Sequence, residues 1–332
     1  MATNNTILQV SELKTYFFTR LGVVRAVDGV SFGLRQGECL CLVGESGCGK
    51  TATALSILRL VDSPPGQILG GEIKYHNENL LRSTGARLRQ IRGNRIAMIF
   101  QDPQSSLNPV LTVGDQIMEP IRLHLKLGHR QARDKALSLM KQVGIPQSAE
   151  RMAYYPHQLS GGMKQRVMIA AALSCNPEIL IADEPTTALD TTIKAQILDI
   201  FRELKQQMNM SILFITHDLG TVAGIADRII VMYGGRIAEA GSTLDIFDQP
   251  KHPYTWGLLN CLPTIAERRE KLSPIPGMIP SLIDPPEGCI FHPRCQWRMS
   301  VCQQAKPPEY VISGEHIAAC YLYQKAPASA GL

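Results

Sequence analysis

Eight consecutive residues, Gly44-Glu45-Ser46-Gly47-Cys48-Gly49-Lys50-Thr51, follow the spacing G-x-x-x-x-G-K-[ST] between an apolar stretch over 38–43 and a helical-looking one over 51–60. Glycines at this spacing let the backbone curl until successive N–H groups point inward at phosphate oxygens. Lys50 adds a point charge and Thr51 a hydroxyl for Mg²⁺, at a helix N-terminus whose dipole already favours an anion. A second string, Leu180-Ile181-Ala182-Asp183-Glu184, puts two carboxylates at the end of an apolar run. In a nucleotide site Asp183 would take the metal shell. Glu184, one residue beyond the strand, would polarise the attacking water, worth roughly 10²–10⁴ in rate for a positioned base. His217 follows the run 211–216 where a side chain can meet a γ-phosphate, and Gln101, ending the run 95–100, can reach Mg²⁺ or the water and join nucleotide state to the helices beyond it.

Each string also has a plainer reading. The first could be a Gly-rich turn entering a helix, the second an acidic N-cap pair before Pro185, and a lone histidine is usually structural. Their common position at the carboxyl ends of apolar strands, where ligands of parallel sheets bind, selects the functional reading.

Two further strings could bind ligands. Leu159-Ser160-Gly161-Gly162-Met163 opens a helix with Ser-Gly-Gly and so offers N–H groups and a hydroxyl to an anion. It lies in a helical block expected to be remote from its own Gly44 loop, so two copies arranged head to tail would bring it to the partner's phosphates. Near the C-terminus Cys289, Cys295, Cys302 and Cys320 form C-x₅-C-x₆-C-x₁₇-C. Four thiolates can saturate a tetrahedral zinc or a [4Fe–4S] cluster, although the close C-x₂-C pairs common in zinc sites are missing, and free thiols remain open. The other five cysteines, Cys39, Cys41, Cys48, Cys175 and Cys261, read as small apolar fillers.

The elements that must position these residues read as follows. Residues 7–10, 23–34 and 38–43 read as β, with Tyr16-Phe17-Phe18 in a turn where an aromatic could stack on a base or pack in a hairpin. Strands are expected over 71–75, 95–100, 178–183, 211–216 and 228–233, and helices over 83–92, 192–208 and 219–226. From 111 to 175 the pattern is helical, with Val113, Ile117 and Ile121 on one face. Continuous apolar strands alternating with helices predict an α/β fold with a parallel sheet covered on both faces. Residues 263–293 hold seven prolines and little periodicity, so a boundary is placed near 260, and 326–332 reads as a frayed end.

With 332 residues, 45% apolar and 19% charged, the chain is long enough for one large domain plus an appendage, or for two domains, and has an ordinary globular composition. Its formal charge of +5 is carried by scattered residues not interleaved with aromatics, which argues against nucleic acid. The N-terminus has no basic segment followed by an apolar core, and no stretch approaches the ~18 apolar residues of a membrane span, so a cytoplasmic location is expected.

Together these motifs resemble an ATP-binding cassette (ABC) ATPase over about residues 7–245, with Gly44 to Thr51 as Walker A, 179–184 as Walker B, 159–163 as the signature, Gln101 as the Q-loop, Ala188-Leu189-Asp190 as the D-loop and His217 as the switch histidine. The resemblance implies a P-loop NTPase with a mixed sheet having a parallel core, an antiparallel β edge and a helical subdomain over about 103–175. It divides the chain into a nucleotide-binding domain over 1–260 and a small Cys-bearing domain over 261–332. It implies that Phe17 stacks on the base, with Tyr16 and Phe18 as the other aromatics available. Thr51, Gln101 and Asp183 would serve Mg²⁺, and two ATP molecules would be sandwiched between two cassettes, Ser160, Gly161, Gly162 and Asp190 completing the partner's site. The tail, with His252-Pro253-Tyr254-Thr255 and Leu258-Leu259, is similar to that of cassettes serving dipeptide and oligopeptide importers. That resemblance implies a [4Fe–4S] cluster on Cys289, Cys295, Cys302 and Cys320, with Zn²⁺ as the alternative.

The expected protein is thus a peripheral ATPase at the cytoplasmic face of the membrane. It would pair with a second cassette, identical or not, and with two permease subunits, and be served indirectly by an extracytoplasmic solute-binding protein. A nickel importer ATPase of the same subfamily is the nearest alternative, and a soluble ABC ATPase acting on DNA or ribosomes the next. The DNA-repair types would need a coiled-coil insertion between Lys50 and Ser160 for which the chain has no room, and a regulator without turnover would lack Glu184 or His217.

Overall fold

The computed structural model describes residues 5–187, 189–262 and 275–324; the expected frayed end, Ala188 and the start of the proline-rich stretch lie outside these. Two long strands open the chain, β1 (Thr6–Thr19) and β2 (Gly22–Arg35); in the middle of β1 buried and exposed residues alternate, Leu13 and Thr15 turning inward while Glu12 and Lys14 stay exposed, and from Val30 to Arg35 β2 alternates buried and half-buried residues. Tyr16, Phe17 and Phe18, expected in a turn, instead lie within β1, and the turn comes at Arg20 and Leu21. Aromatic side chains fit a pleated, half-buried surface, and no Gly or Pro interrupts the strand there to end it. The five residues of β3 (Cys39–Val43) are all buried, as in a strand covered on both faces. Then follow α1 (Lys50–Ile57), β4 (Gly66–Tyr75), β5 (Glu78–Asn79), α2 (Gly85–Ile91) and β6 (Ile96–Ile99).

The helical block is built from α3 (Pro103–Ser106), α4 (Val113–Leu125), α5 (His129–Gln142), α6 (Ser148–Arg151) and α7 (Gly161–Leu173). Strand and helix then alternate through β7 (Ile179–Asp183), α8 (Thr191–Met208), β8 (Ser211–Thr216), α9 (Leu219–Val222) and β9 (Arg228–Tyr233). Helix α9 is shorter than expected and stops just before Gly224, a residue that costs helix stability. After β10 (Arg236–Ser242) come α10 (Thr243–Asp248), α11 (Pro253–Asn260), α12 (Val301–Gln304), β11 (Tyr310–Ser313) and β12 (His316–Ala318).

The chain forms two compact units that interleave in sequence. The first takes the described residues within 5–8, 33–39 and 74–215. In it β6, β7 and β8 are parallel, with Ile96 opposite Ile179 and Ile179 opposite Ser211, and α4, α5 and α7 pack on one another. Val113, Ile117 and Ile121 are fully buried, the face their spacing predicts.

The second unit takes the described residues within 9–32, 40–73 and 216–324. Here β3 pairs in parallel with β9 (Leu40 opposite Arg228), β9 turns back antiparallel onto β10, and β12 adds to β10 with Glu239 opposite Ala318. The tail thus contributes strands to the same sheet as β3. Glu239, wholly buried, secures this junction: its carboxylate accepts from His316 Nε2 at 2.7 Å and from the N–H groups of Lys251 and His252 at 2.7 and 2.8 Å.

Candidate functional site

In the second unit the phosphate loop leaves β3 at Gly44, where φ is 155° and a Cβ would lie 2.2 Å from the Met232 carbonyl oxygen. At Gly49, the N-cap of α1, φ is 104° and a Cβ would lie 2.1 Å from the Ala26 carbonyl oxygen. No other residue type fits either place, which is the physical reason for glycine there. Lys50 is buried, and its Nζ donates to the carbonyls of Gly44 at 2.8 Å and Glu45 at 3.0 Å. Cys48 is buried under the loop and burial pushes its thiol pKa up, whereas Ser46, Gly47 and Thr51 face solvent.

Glu45 is held from outside the loop. Its N–H donates to Tyr254 Oη at 2.8 Å, and its carboxylate accepts from Arg294 Nη1 at 2.7 Å and Nη2 at 3.1 Å. Sequence spacing carries no sign of either contact, since Tyr254 and Arg294 lie 209 and 249 residues from Glu45. Phe17 is half-buried in β1 and borders Gly66 of β4, where a Cβ would lie 2.9 Å from its ring. Tyr16 is committed elsewhere, donating to Asp28 Oδ1 at 2.8 Å, while Phe18 is 45% exposed. His217 is exposed immediately after β8, and the next residue, Asp218, caps α9 by accepting from Gly220 N at 2.9 Å.

The first unit brings together Gln101 and Glu184. Asp183 is the buried last residue of β7, and Glu184 turns out of the strand in the left-handed region at φ 47°, anchored by its N–H to the Ile215 carbonyl at 2.9 Å. Its Oε2 accepts from Gln101 Nε2 at 3.1 Å and from Thr187 Oγ1 at 2.9 Å, so the carboxylate is oriented and hydrogen-bonded at the strand end. Asp102, next to Gln101, caps α3 through Gln104 N at 2.8 Å, which ties the Gln101 loop to the helical block.

Ser160 caps α7 through Met163 N at 3.4 Å, with Ser160 and Gly161 exposed. A Cβ on Gly162 would lie 2.9 Å from Ile193 Cγ2 in α8, the helix capped by Asp190 through Ile193 N at 2.9 Å. The unit therefore places the Ser160-Gly161-Gly162 turn beside Asp190's helix, with the α7 N-terminus open to solvent.

Cys289, Cys295, Cys302 and Cys320 line one small, largely apolar cavity in the second unit, with His252, Phe291 and Met299. Its walls are tied by backbone bonds: Cys289 N donates to Cys302 O at 2.8 Å, and Gly288, at φ 72°, allows a close approach to that carbonyl. Burial pushes the Cys289 thiol up to about 11 and the Cys320 thiol up to about 12. Among the described residues no three His, Cys, Asp or Glu side chains are grouped to hold a single metal ion. Of the other cysteines, Cys39, Cys41, Cys48 and Cys175 are buried and Cys261 is half-buried. Among the described residues no helix is long and apolar enough to cross a membrane.

A strand-loop-helix phosphate cradle, an acidic strand end and a Ser-Gly-Gly helix start occur on one α/β chain, and comparison with known proteins agrees with that combination. Residues 27–187 match the ABC transporter family, and the chain belongs to that family as an ATP-binding cassette. Residues 238–302 match the C-terminal region of oligopeptide/dipeptide transporters. The dipeptide transport ATP-binding protein DppD of Bacillus subtilis (strain 168) is 49% identical over 316 residues, 95% of this chain and 94% of its own length. The oligopeptide transport ATP-binding protein AppD of the same organism is 48% identical, covering 97% and 98%. Among solved structures, the dimeric post-hydrolysis state of the cassette MJ0796 bound to ADP and Pi matches with a TM-score of 0.65 at 26% identity, covering 71% of this chain and 98% of that one.

Proposed function

We propose that this chain is the ATP-hydrolysing subunit that energises import of dipeptides or oligopeptides, acting at the cytoplasmic face of the membrane on two permease subunits served by an extracytoplasmic binding protein. The observation that carries the reading is similarity along 95% of the chain, tail included, to a dipeptide transport ATP-binding protein. ATP supplies the phosphoryl group whose hydrolysis releases the energy, and bound Mg²⁺ would supply charge neutralisation for the phosphates. Lys50 and the N–H groups over 44–51 would receive the phosphates and Phe17 would pack on the base, while Thr51, Asp183 and Gln101 are the residues that the family resemblance implies would hold Mg²⁺. Glu184 takes the proton of the attacking water while Gln101 and Thr187 hold its carboxylate in place, and His217 donates to the γ-phosphate.

The open α7 N-terminus, with Ser160, Gly161, Gly162 and Asp190, completes the site of a second cassette, identical to this one or not. The solvent-facing Val110, Leu111 and Leu123 of the helical block favour this region as the permease contact. No nucleic acid takes part. In this reading residues 1–260 form the nucleotide-binding body and 261–332 the Cys-bearing tail.

The direct test is transport. Proteoliposomes holding the permeases with this chain, supplied with binding protein outside and MgATP inside, are expected to accumulate a radiolabelled dipeptide, and Lys50→Ala to abolish the uptake. ATP-driven accumulation of Ni²⁺ in place of peptide would move the assignment to the nickel branch, and failure of the chain to associate with any permease pair would move it to the soluble cassettes.

Within the same reading, Cys289, Cys295, Cys302 and Cys320 hold a [4Fe–4S] cluster that orders the tail. One observation supports it: the four thiols line one small cavity. Protein purified without oxygen is expected to be brown and to contain iron and sulfide, and Cys302→Ser to lose the colour. A colourless wild type loaded with zinc refutes the cluster.

A further inference from the structure

We propose that Arg294 of the tail is a positioning residue for the phosphate loop, so that the C-terminal region forms part of the nucleotide site. The proposal rests on the ATP-binding reading above and concerns the second unit alone. Arg294 sits on the turn His292–Arg294, directly before Cys295, with its side chain 4% exposed. Its guanidinium is caged: Nε donates to the Pro276 carbonyl at 3.0 Å, Nη2 to the Ile275 carbonyl at 3.3 Å, and Nη1 to Tyr233 Oη at 3.3 Å. The remaining fork closes on both carboxylate oxygens of Glu45.

Glu45 is an unexpected residue to find in a phosphate cradle. Its carboxylate stands one residue from Gly44, and its own carbonyl accepts from Lys50 Nζ, so an unpaired anion here would oppose the phosphates that Lys50 attracts. Arg294 removes that opposition by neutralising the carboxylate, and it fixes the side chain's direction. Tyr254 fixes the same residue through its N–H. The loop is thereby gripped at carboxylate, amide and carbonyl, and two of the three grips come from beyond residue 250. A bidentate fork is not reproduced by an ammonium group, so charge and geometry can be separated by substitution.

The experiment measures binding of a fluorescent ATP analogue with Mg²⁺, and KM and kcat for ATP, on the full chain and its variants. Arg294→Met is expected to raise Kd and KM about tenfold while kcat stays within about threefold, and Arg294→Lys to fall between it and the wild type. Glu45→Gln removes the charge that Arg294 neutralises, so the double variant is expected to lose clearly less than the sum of the single losses. Folded Arg294→Met with wild-type affinity overturns the proposal, as does a double variant whose losses simply add, because Arg294 would then act through something other than Glu45. If Arg294→Met does not fold, Arg294→Lys decides: affinity equal to the wild type refutes a role for the fork. A wild-type chain that binds no MgATP would instead sink the functional reading itself.

Discussion

Replacing Glu184 by Gln isolates the one property that the geometry assigns to that side chain. Glu184 is 8% exposed, and its Oε2 accepts from Gln101 Nε2 and Thr187 Oγ1. A glutamine carbonyl oxygen can accept the same two bonds, so the backbone at φ 47° and the loop around it should stay in place. Exchanging two charge-assisted bonds for neutral ones costs about 1–2 kcal/mol of stability at most. Basicity is what disappears. A positioned general base contributes roughly 10²–10⁴ in rate, or about 2.7–5.4 kcal/mol of barrier. Steady-state phosphate release should therefore fall by that factor while the dissociation constant for MgATP changes no more than about threefold, and ATP should hold the variant as a stable pair in gel filtration. Turnover within about fivefold of the wild type, with the fold intact by circular dichroism, would remove Glu184 from its assigned role.

Gly49→Ala places a Cβ against the Ala26 carbonyl at a φ of 104°; it should cost about 1–3 kcal/mol of stability and weaken MgATP binding more than tenfold, checked by thermal melting and titration. Asp28 supplies a pH signature. Burial raises its pKa, but hydrogen bonds from Arg236 and Tyr16 and the charges of Arg236 and Lys306 outweigh this and bring it from 3.8 to about 2. Since the folded value lies below the unfolded one, the contribution is complete above about pH 4 and is lost as pH falls toward 2. After solvent screening it amounts to about 1 kcal/mol, and Asp28→Asn should flatten that part of the acid-unfolding curve; an unchanged slope would contradict the pairing.

What the sequence made legible was decided by local sterics and burial. The phosphate loop could be read because only glycine fits beside the Met232 and Ala26 carbonyls, and those glycines sit at fixed spacing. Strands β3, β7 and β8 could be read because strands buried on both faces become unbroken apolar runs. Tyr16 to Phe18 misled because three adjacent aromatics suit a turn cluster as well as a strand, and only the pairing of β1 between β2 and β4 settles it.

The tail was the least legible part. Its strand β12 is three residues long, too short to show alternation, and it joins β10 through Glu239, a residue whose type suggests a solvent-facing position. The grip of Arg294 on Glu45 spans 249 residues, and no periodicity records such a pairing. Both features depend on tertiary closure, which motif spacing does not encode.

The central claim is that nucleotide is clasped between the Lys50 side of one cassette and the Ser160 side of another. The most direct measurement uses Lys50→Ala and Ser160→Arg, each on the Glu184→Gln background, and counts radiolabelled ATP retained per dimer. Neither variant alone should retain nucleotide, whereas mixed dimers, each with one intact Lys50–Ser160 pair, should retain one ATP. Retention by either variant alone at the level of the Glu184→Gln parent, or none in mixed dimers shown to form, would contradict the claim.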